Sequence, residues 1–150
     1  MKIRVITVGR ISSWAREAER HFKKMLSRFS KIEVLHLKSG GDLNRENPGE
    51  VRSREGKRIT KVKKGFSIAL DVRGKRMSTD EFTRFLENLL GKEVSFIIGG
   101  AAGLSDEVLS SVDLKISLSE MTLSHEVAFV LLLEQLFRAF KRMKGEKYDY

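Results

Sequence analysis

The chain of 150 residues contains no cysteine. That excludes disulfides, a thiolate nucleophile and any cysteine-based metal centre. Its three histidines, His21, His36 and His125, stand far apart, so no metal-ligand spacing is present. Carboxamides are scarce: Asn44, Asn47, Asn88 and Gln135 are all there are, matching the avoidance of heat-labile residues in thermophile proteins. No apolar run approaches the roughly 18 residues of a membrane span. Lys2 and Arg4 precede only a short apolar stretch ending at Val8, too short for a secretory signal. The expectation is a soluble, cytoplasmic protein with no membrane or metal partner. Phosphate motifs are missing too. The glycine-rich stretch at 99–105 lacks the Lys-Ser/Thr pair of a P-loop, and Gly9-Arg10-Ile11-Ser12 does not make a dinucleotide fingerprint. No serine sits in a nucleophile elbow. An enzyme without metal or nucleophile would draw its chemistry from a cofactor.

What the chain does have is positive charge, unevenly spread. Its net charge is +9. Residues 1–64 carry 18 Lys and Arg against 7 Asp and Glu; residues 65–150 carry 11 against 13. The first half therefore holds the whole excess. A basic half beside a near-neutral one is the footprint of a polyanion partner, with a merely solvated surface as the plainer reading. Arg54, Arg58 and Lys61 are its candidate phosphate contacts.

Apolar periodicity predicts strands at 3–8, 32–37, 66–72, 93–98 and 115–118. Helices are predicted at 12–29, 50–64, 78–90, 105–111 and 122–144. Ser12 is a candidate N-cap, and Ser78 with Glu81 forms a capping box. Trp14, Ala18, Phe22, Met25, Leu26 and Phe29 share one side of the first helix. Arg73-Gly74-Lys75 reads as a turn, and Gly145 stops the last helix. Strands alternating with helices imply an α/β fold with a mostly parallel sheet of about five strands, in a single domain over 1–150. The last helix is apolar all round, so it needs cover on every side. A second copy of the same helix is the simplest cover, which predicts a homodimer; burial under other helices of the same chain is the alternative.

Two segments look like ligand loops. Phe96-Ile97-Ile98-Gly99-Gly100-Ala101-Ala102-Gly103-Leu104-Ser105 is an apolar strand, a glycine turn and a helix start. Glycines there let the backbone approach a ligand closely. Leu118-Ser119-Glu120-Met121-Thr122-Leu123-Ser124-His125 is a second irregular segment after the next strand.

These segments, with "LLLEQLFRAFKRMKGEKYDY" at the C-terminus, closely resemble the RlmH family of SPOUT-class methyltransferases. "KIRVITVG", "REGKRITK" and "ALDVRGK" extend the resemblance over the whole chain, in order. The resemblance implies a SPOUT-type α/β fold with a C-terminal trefoil knot and a homodimer whose pockets lie near the partner subunit. It implies S-adenosylmethionine as cofactor and a pseudouridine of large-subunit ribosomal RNA as target. The basic half 1–64 would face RNA; residues 65–150 would carry the cofactor site, knot and dimer contacts. Matched residue by residue, the cofactor would be held by Leu70, Gly99, Leu118, Ser119, Glu120, Met121, Thr122 and Leu123. Arg138 would bind phosphate or a developing anion, with Glu134 as its helical neighbour. Tyr148 would stack on or hydrogen-bond the target base. Asp149 stands where the family has a histidine and would accept the ring proton. Phe129 stands where the family has an arginine, on the expected RNA side of the site. These two departures support an alternative, a catalytically weakened RNA-binding SPOUT protein. His125, in the first turn of the last helix, is expected to be structural or pocket-lining.

Overall fold

A computed structural model describes residues 1–148. The elements, in chain order, are β1 (Lys2–Val8), α1 (Ser13–Leu26), β2 (Lys31–Leu37), α2 (Pro48–Val62), β3 (Phe66–Arg76), α3 (Thr79–Glu87), β4 (Glu93–Ile98), α4 (Asp106–Ser111), β5 (Leu114–Ser117) and α5 (His125–Met143). The five strands form one sheet in the order β2-β1-β4-β3-β5, with every pairing parallel. Strands from the basic half and the C-terminal half thus share a sheet. No helix among the described residues is long and apolar enough to cross a membrane.

Side chains alternate across the strands as the two-residue strand period requires. Ile3 and Val5 of β1, with Val94 and Phe96 of β4, face the larger cluster, which includes α1, α3 and α5. Ile6 and Val8, with Ile97, face the smaller one, under α2 and α4. Parallel strands covered on both faces read as continuous apolar runs, which is why residues 3–8 and 93–98 were legible.

The helix starts follow their caps. Asn47 accepts from Gly49 N–H, Ser105 from Val108 N–H and Ser124 from Val127 N–H. Ser78 and Glu81 close the expected capping box. Ser12 departs from expectation: it makes no side-chain cap, and its hydroxyl donates to Glu126 Oε1 at 3.0 Å instead. Trp14 departs as well, standing 49% exposed while Ala15 and Leu26 enter the core.

Most of the last helix is covered within its own chain. Phe129, Leu132, Leu133 and Leu136 are fully buried. Phe29 stacks on Phe140 at 5.6 Å and meets Phe137 at 6.1 Å. α5 lies between α1 and α3 against β1 and β4. Burial under neighbouring helices accounts for much of the apolar sequence, while Val127 stays 41% exposed and Val130 and Leu131 are half-buried. Phe129 is corrected too: it sits in the core, edge-on to His36 at 5.3 Å, and lines no RNA-side surface.

The predicted turn at Arg73-Gly74-Lys75 belongs to β3. The strand leaves β4 after Leu70, and its pairing with β5 breaks between Leu70 and Lys75. Gly74 serves close approach there, since a Cβ would lie 2.7 Å from the β5 backbone.

Candidate methyl-donor site

In open parallel sheets, ligands bind beyond the carboxyl ends of the strands. Here β3, β4 and β5 are neighbours; β4 and β5 end on one cavity of about 470 Å³, and β3 meets it at the break after Leu70. β3 contributes Leu70, Asp71 and Val72. The turn after β4 contributes Ile98, Gly99, Gly100, Ala101, Gly103 and Leu104. Past β5, the walls are Ser117, Leu118, Ser119, Met121, Thr122, Leu123 and Ser124, then His125 and Ala128 of α5.

The glycine turn is compact for local reasons. Gly103 N–H donates to Gly100 O at 3.0 Å, and Gly103 takes φ +81°, which an L side chain rarely adopts. A Cβ on Gly99 would lie 2.9 Å from Leu104 Cγ. The third loop is held by short-range bonds: Ser117 Oγ donates to Ser119 O, and Met121 N–H donates to Ser119 Oγ.

Two ties fix this cavity to the rest of the molecule. Arg52 Nη1 of α2 donates to Ala102 O at 3.1 Å. Glu126, at the start of α5, accepts from Ser12 N–H at 2.8 Å and from the Ser12 hydroxyl. The backbone N–H of Ser12, more than its hydroxyl, holds the Glu126 carboxyl below the usual carboxylate range. His125 Nε2 lies 2.8 Å from Arg10 O, beside Gly9.

Seven of the eight sequence-assigned cofactor residues line the cavity: Leu70, Gly99, Leu118, Ser119, Met121, Thr122 and Leu123. Glu120 does not; it is exposed and ion-paired with Arg76. Met121 is 77% exposed. Of the expected catalytic residues, Arg138 and Tyr148 come together elsewhere. Arg138 donates from Nε to Glu134 at 2.9 Å and from Nη1 to Tyr148 O at 2.8 Å, and its guanidinium lies 4.8 Å from the Tyr148 ring centre. Neither lines the cavity. Ala128 and Arg138 are ten residues apart on α5, about 15 Å along the axis. Asp149 lies outside the described residues. Sequence reasoning missed Asp71, whose only signal was its place directly after Leu70.

The walls combine apolar side chains from Leu70, Ile98, Leu118 and Leu123 with the hydroxyl-bearing Ser117, Ser119 and Thr122. Among the described residues, no group of three or more His, Asp or Glu is placed to hold a metal ion.

Comparison with known proteins identifies the lineage. A family model described as "Predicted SPOUT methyltransferase" matches residues 1–149. Proteins named ribosomal RNA large subunit methyltransferase H are similar over their full lengths: 40% identical in Thermosipho melanesiensis and 37% in Thermotoga neapolitana, each covering 100% of both chains. The one from Acetivibrio thermocellus is 38% identical over 99% of both chains. The fold resembles a tRNA methyltransferase from Aquifex aeolicus, with TM-score 0.58 and 16% identity over 100% of this chain and 75% of that one. With the matched sequence spanning the cavity's three loops and the sheet that carries them, the chain belongs to the SPOUT methyltransferase family.

Proposed function

We propose that this chain is an S-adenosylmethionine-dependent methyltransferase that modifies a pseudouridine in large-subunit ribosomal RNA. The observation carrying this reading is the single cavity lined by Leu70, Gly99 and Leu118, one residue from each of three loops far apart in sequence. The relatives' name supplies the RNA class. Apolar walls and backbone of the three loops would hold the donor. When bound, it supplies a methyl group already activated by a sulfonium.

The protein's own share is positioning, proton handling and water exclusion. Arg138 stabilises the anion left on the base, Tyr148 stacks on the base, and Asp149 accepts the ring proton. Because Arg138 lies about 15 Å down α5 from the cavity wall at Ala128, one chain does not join its own pair to its own cavity. We infer a homodimer in which the C-terminal residues of the partner complete each site. α5 returns from the edge strand β5 to the middle strands β1 and β4, a path compatible with the knot that the resemblance implies.

Incubation with labelled S-adenosylmethionine and ribosomes lacking this methyl group tests the reading. Label in the large-subunit RNA is expected; donor binding with no transfer to free RNA, large subunits or ribosomes would overturn it. The same assay decides the weakened-enzyme alternative, which rests on the arginine absent at Phe129 and the histidine absent at Asp149.

A further inference from the structure

Asp71 is the one acidic side chain among the described residues that line the donor cavity. The other titratable lining group is His125, already engaged with Arg10 O. Asp71 is the first residue of the break in β3, so its backbone is free of the ladder that ends at Leu70. Its side chain is only 12% exposed, whereas its partner Arg73 is 72% exposed. Oδ1 accepts from the Arg73 backbone N–H at 2.8 Å and from Nε at 3.1 Å; Oδ2 accepts from Nη2 at 3.2 Å. The Arg73 side chain, more than the backbone bond, holds the Asp71 carboxyl below the usual carboxylate range.

A carboxylate in a mostly apolar wall is costly unless a cation compensates it. Arg73 compensates from the solvent side. The backbone bond fixes the carboxylate's orientation independently of that side chain, so a cation arriving in the cavity meets an anion already in place. The donor carries a sulfonium charge; its demethylated product is a neutral thioether. Both keep the same amino-acid ammonium and carboxylate. The charge on sulfur is therefore the feature by which a cavity anion can tell them apart.

We propose that Asp71 pairs with the positive sulfonium of the donor and so favours the charged donor over the neutral product, with Arg73 competing for the same carboxylate. This rests on the cavity being the S-adenosylmethionine site. A carboxylate that favours the cation also favours release of the product once the charge is gone.

Calorimetric titration tests the proposal, using S-adenosylmethionine, its demethylated product and an analogue with a protonated amine in place of the sulfonium. Asp71→Asn should weaken the donor and the amine analogue about tenfold while leaving the product unchanged, since a nearby unit charge at a partly buried site is worth at least that factor. The retained product affinity shows that the cavity is intact. Arg73→Gln, at an exposed position, should shift the donor-to-product ratio the other way. Added salt should narrow that ratio in the native protein and not in Asp71→Asn. Equal loss of donor and product in Asp71→Asn, or no loss of either, overturns the proposal and leaves the donor assignment standing. Failure of the native protein to bind donor or product at millimolar concentration overturns both.

Discussion

Glu126 shows how one side chain sets the geometry of a site that it does not line. By accepting from both donors of Ser12, it joins the first turn of α5 to the start of α1. Its pKa is depressed in the folded state, so its contribution is complete above the ordinary value of 4.5 and is lost as pH falls through the lower folded value. The thermal-midpoint gap between native protein and Glu126→Gln should thus be constant above that pH and close below it; a gap that widens with acid would contradict the assignment. Gly103 makes a second test. Gly103→Ala forces a side chain to φ +81°, at about 1 kcal/mol. Gly91→Ala imposes a similar strain at φ +84°, away from the cavity. Similar losses of stability are expected from both, with loss of donor binding by calorimetry from Gly103→Ala alone. At this scale the sequence was most legible where residue type follows from the backbone, as at Gly99, and least where a role depends on a distant partner. Glu120 looked like its neighbours in the loop, but Arg76 draws it outward.

Among the elements, α2 changes meaning most. Arg54 donates to Gly40 O and Glu46, and Arg58 to Lys38 O and Ser39 O, so both fasten the 38–41 segment to the helix. Buried Glu55 adds a bond from Gly40 N–H. Charge reversal at Arg54 or Arg58 would therefore disturb structure as well as any RNA contact. Lys57, Lys61 and Lys64 are exposed and are the cleaner probes. Their joint reversal to Glu should weaken ribosome binding and flatten its salt dependence, measured by filter binding over a salt series; an unchanged slope would make this a solvated face. In α5, Leu132→Ala should cost about 2–5 kcal/mol in chemical denaturation, because Leu132 is fully buried between helices and sheet. Every predicted strand and helix is present; apolar patterning marked them, and the Ser78–Glu81 capping box marked the start of α3. The break in β3 was hidden because Gly74 reads as a turn residue until β5 is seen pressed against it.

Over the whole molecule, the two halves defined by charge are joined in one sheet, with β1 of the basic half lying against β4. Charge blocks showed polarity of surface, not division of fold. The separation of Arg138 from the donor cavity predicts a shared active site. Mixing a cavity-blocking variant such as Gly99→Arg with Arg138→Ala should restore activity that neither has alone, if subunits exchange before assay. Absence of complementation, or a monomer by light scattering at micromolar concentration, would contradict the composite site. The sequence hid this because the fold, not residue type, decides that His125 and Ala128 reach the cavity and Arg138 does not.

The donor cavity takes its walls from β3, β4 and β5, at chain positions as distant as 70, 99 and 118. Its lining runs from Leu70 to Ala128, so a growing chain lacks it until the first turn of α5 has been made. A ligand there touches three neighbouring strands of the one sheet, so its binding is linked to unfolding of that sheet. Donor at a hundredfold excess over its dissociation constant should stabilise the entire fold by about 2.7 kcal/mol. In a cell, the supply of methyl donor would then help set how long this protein stays folded and escapes proteolysis.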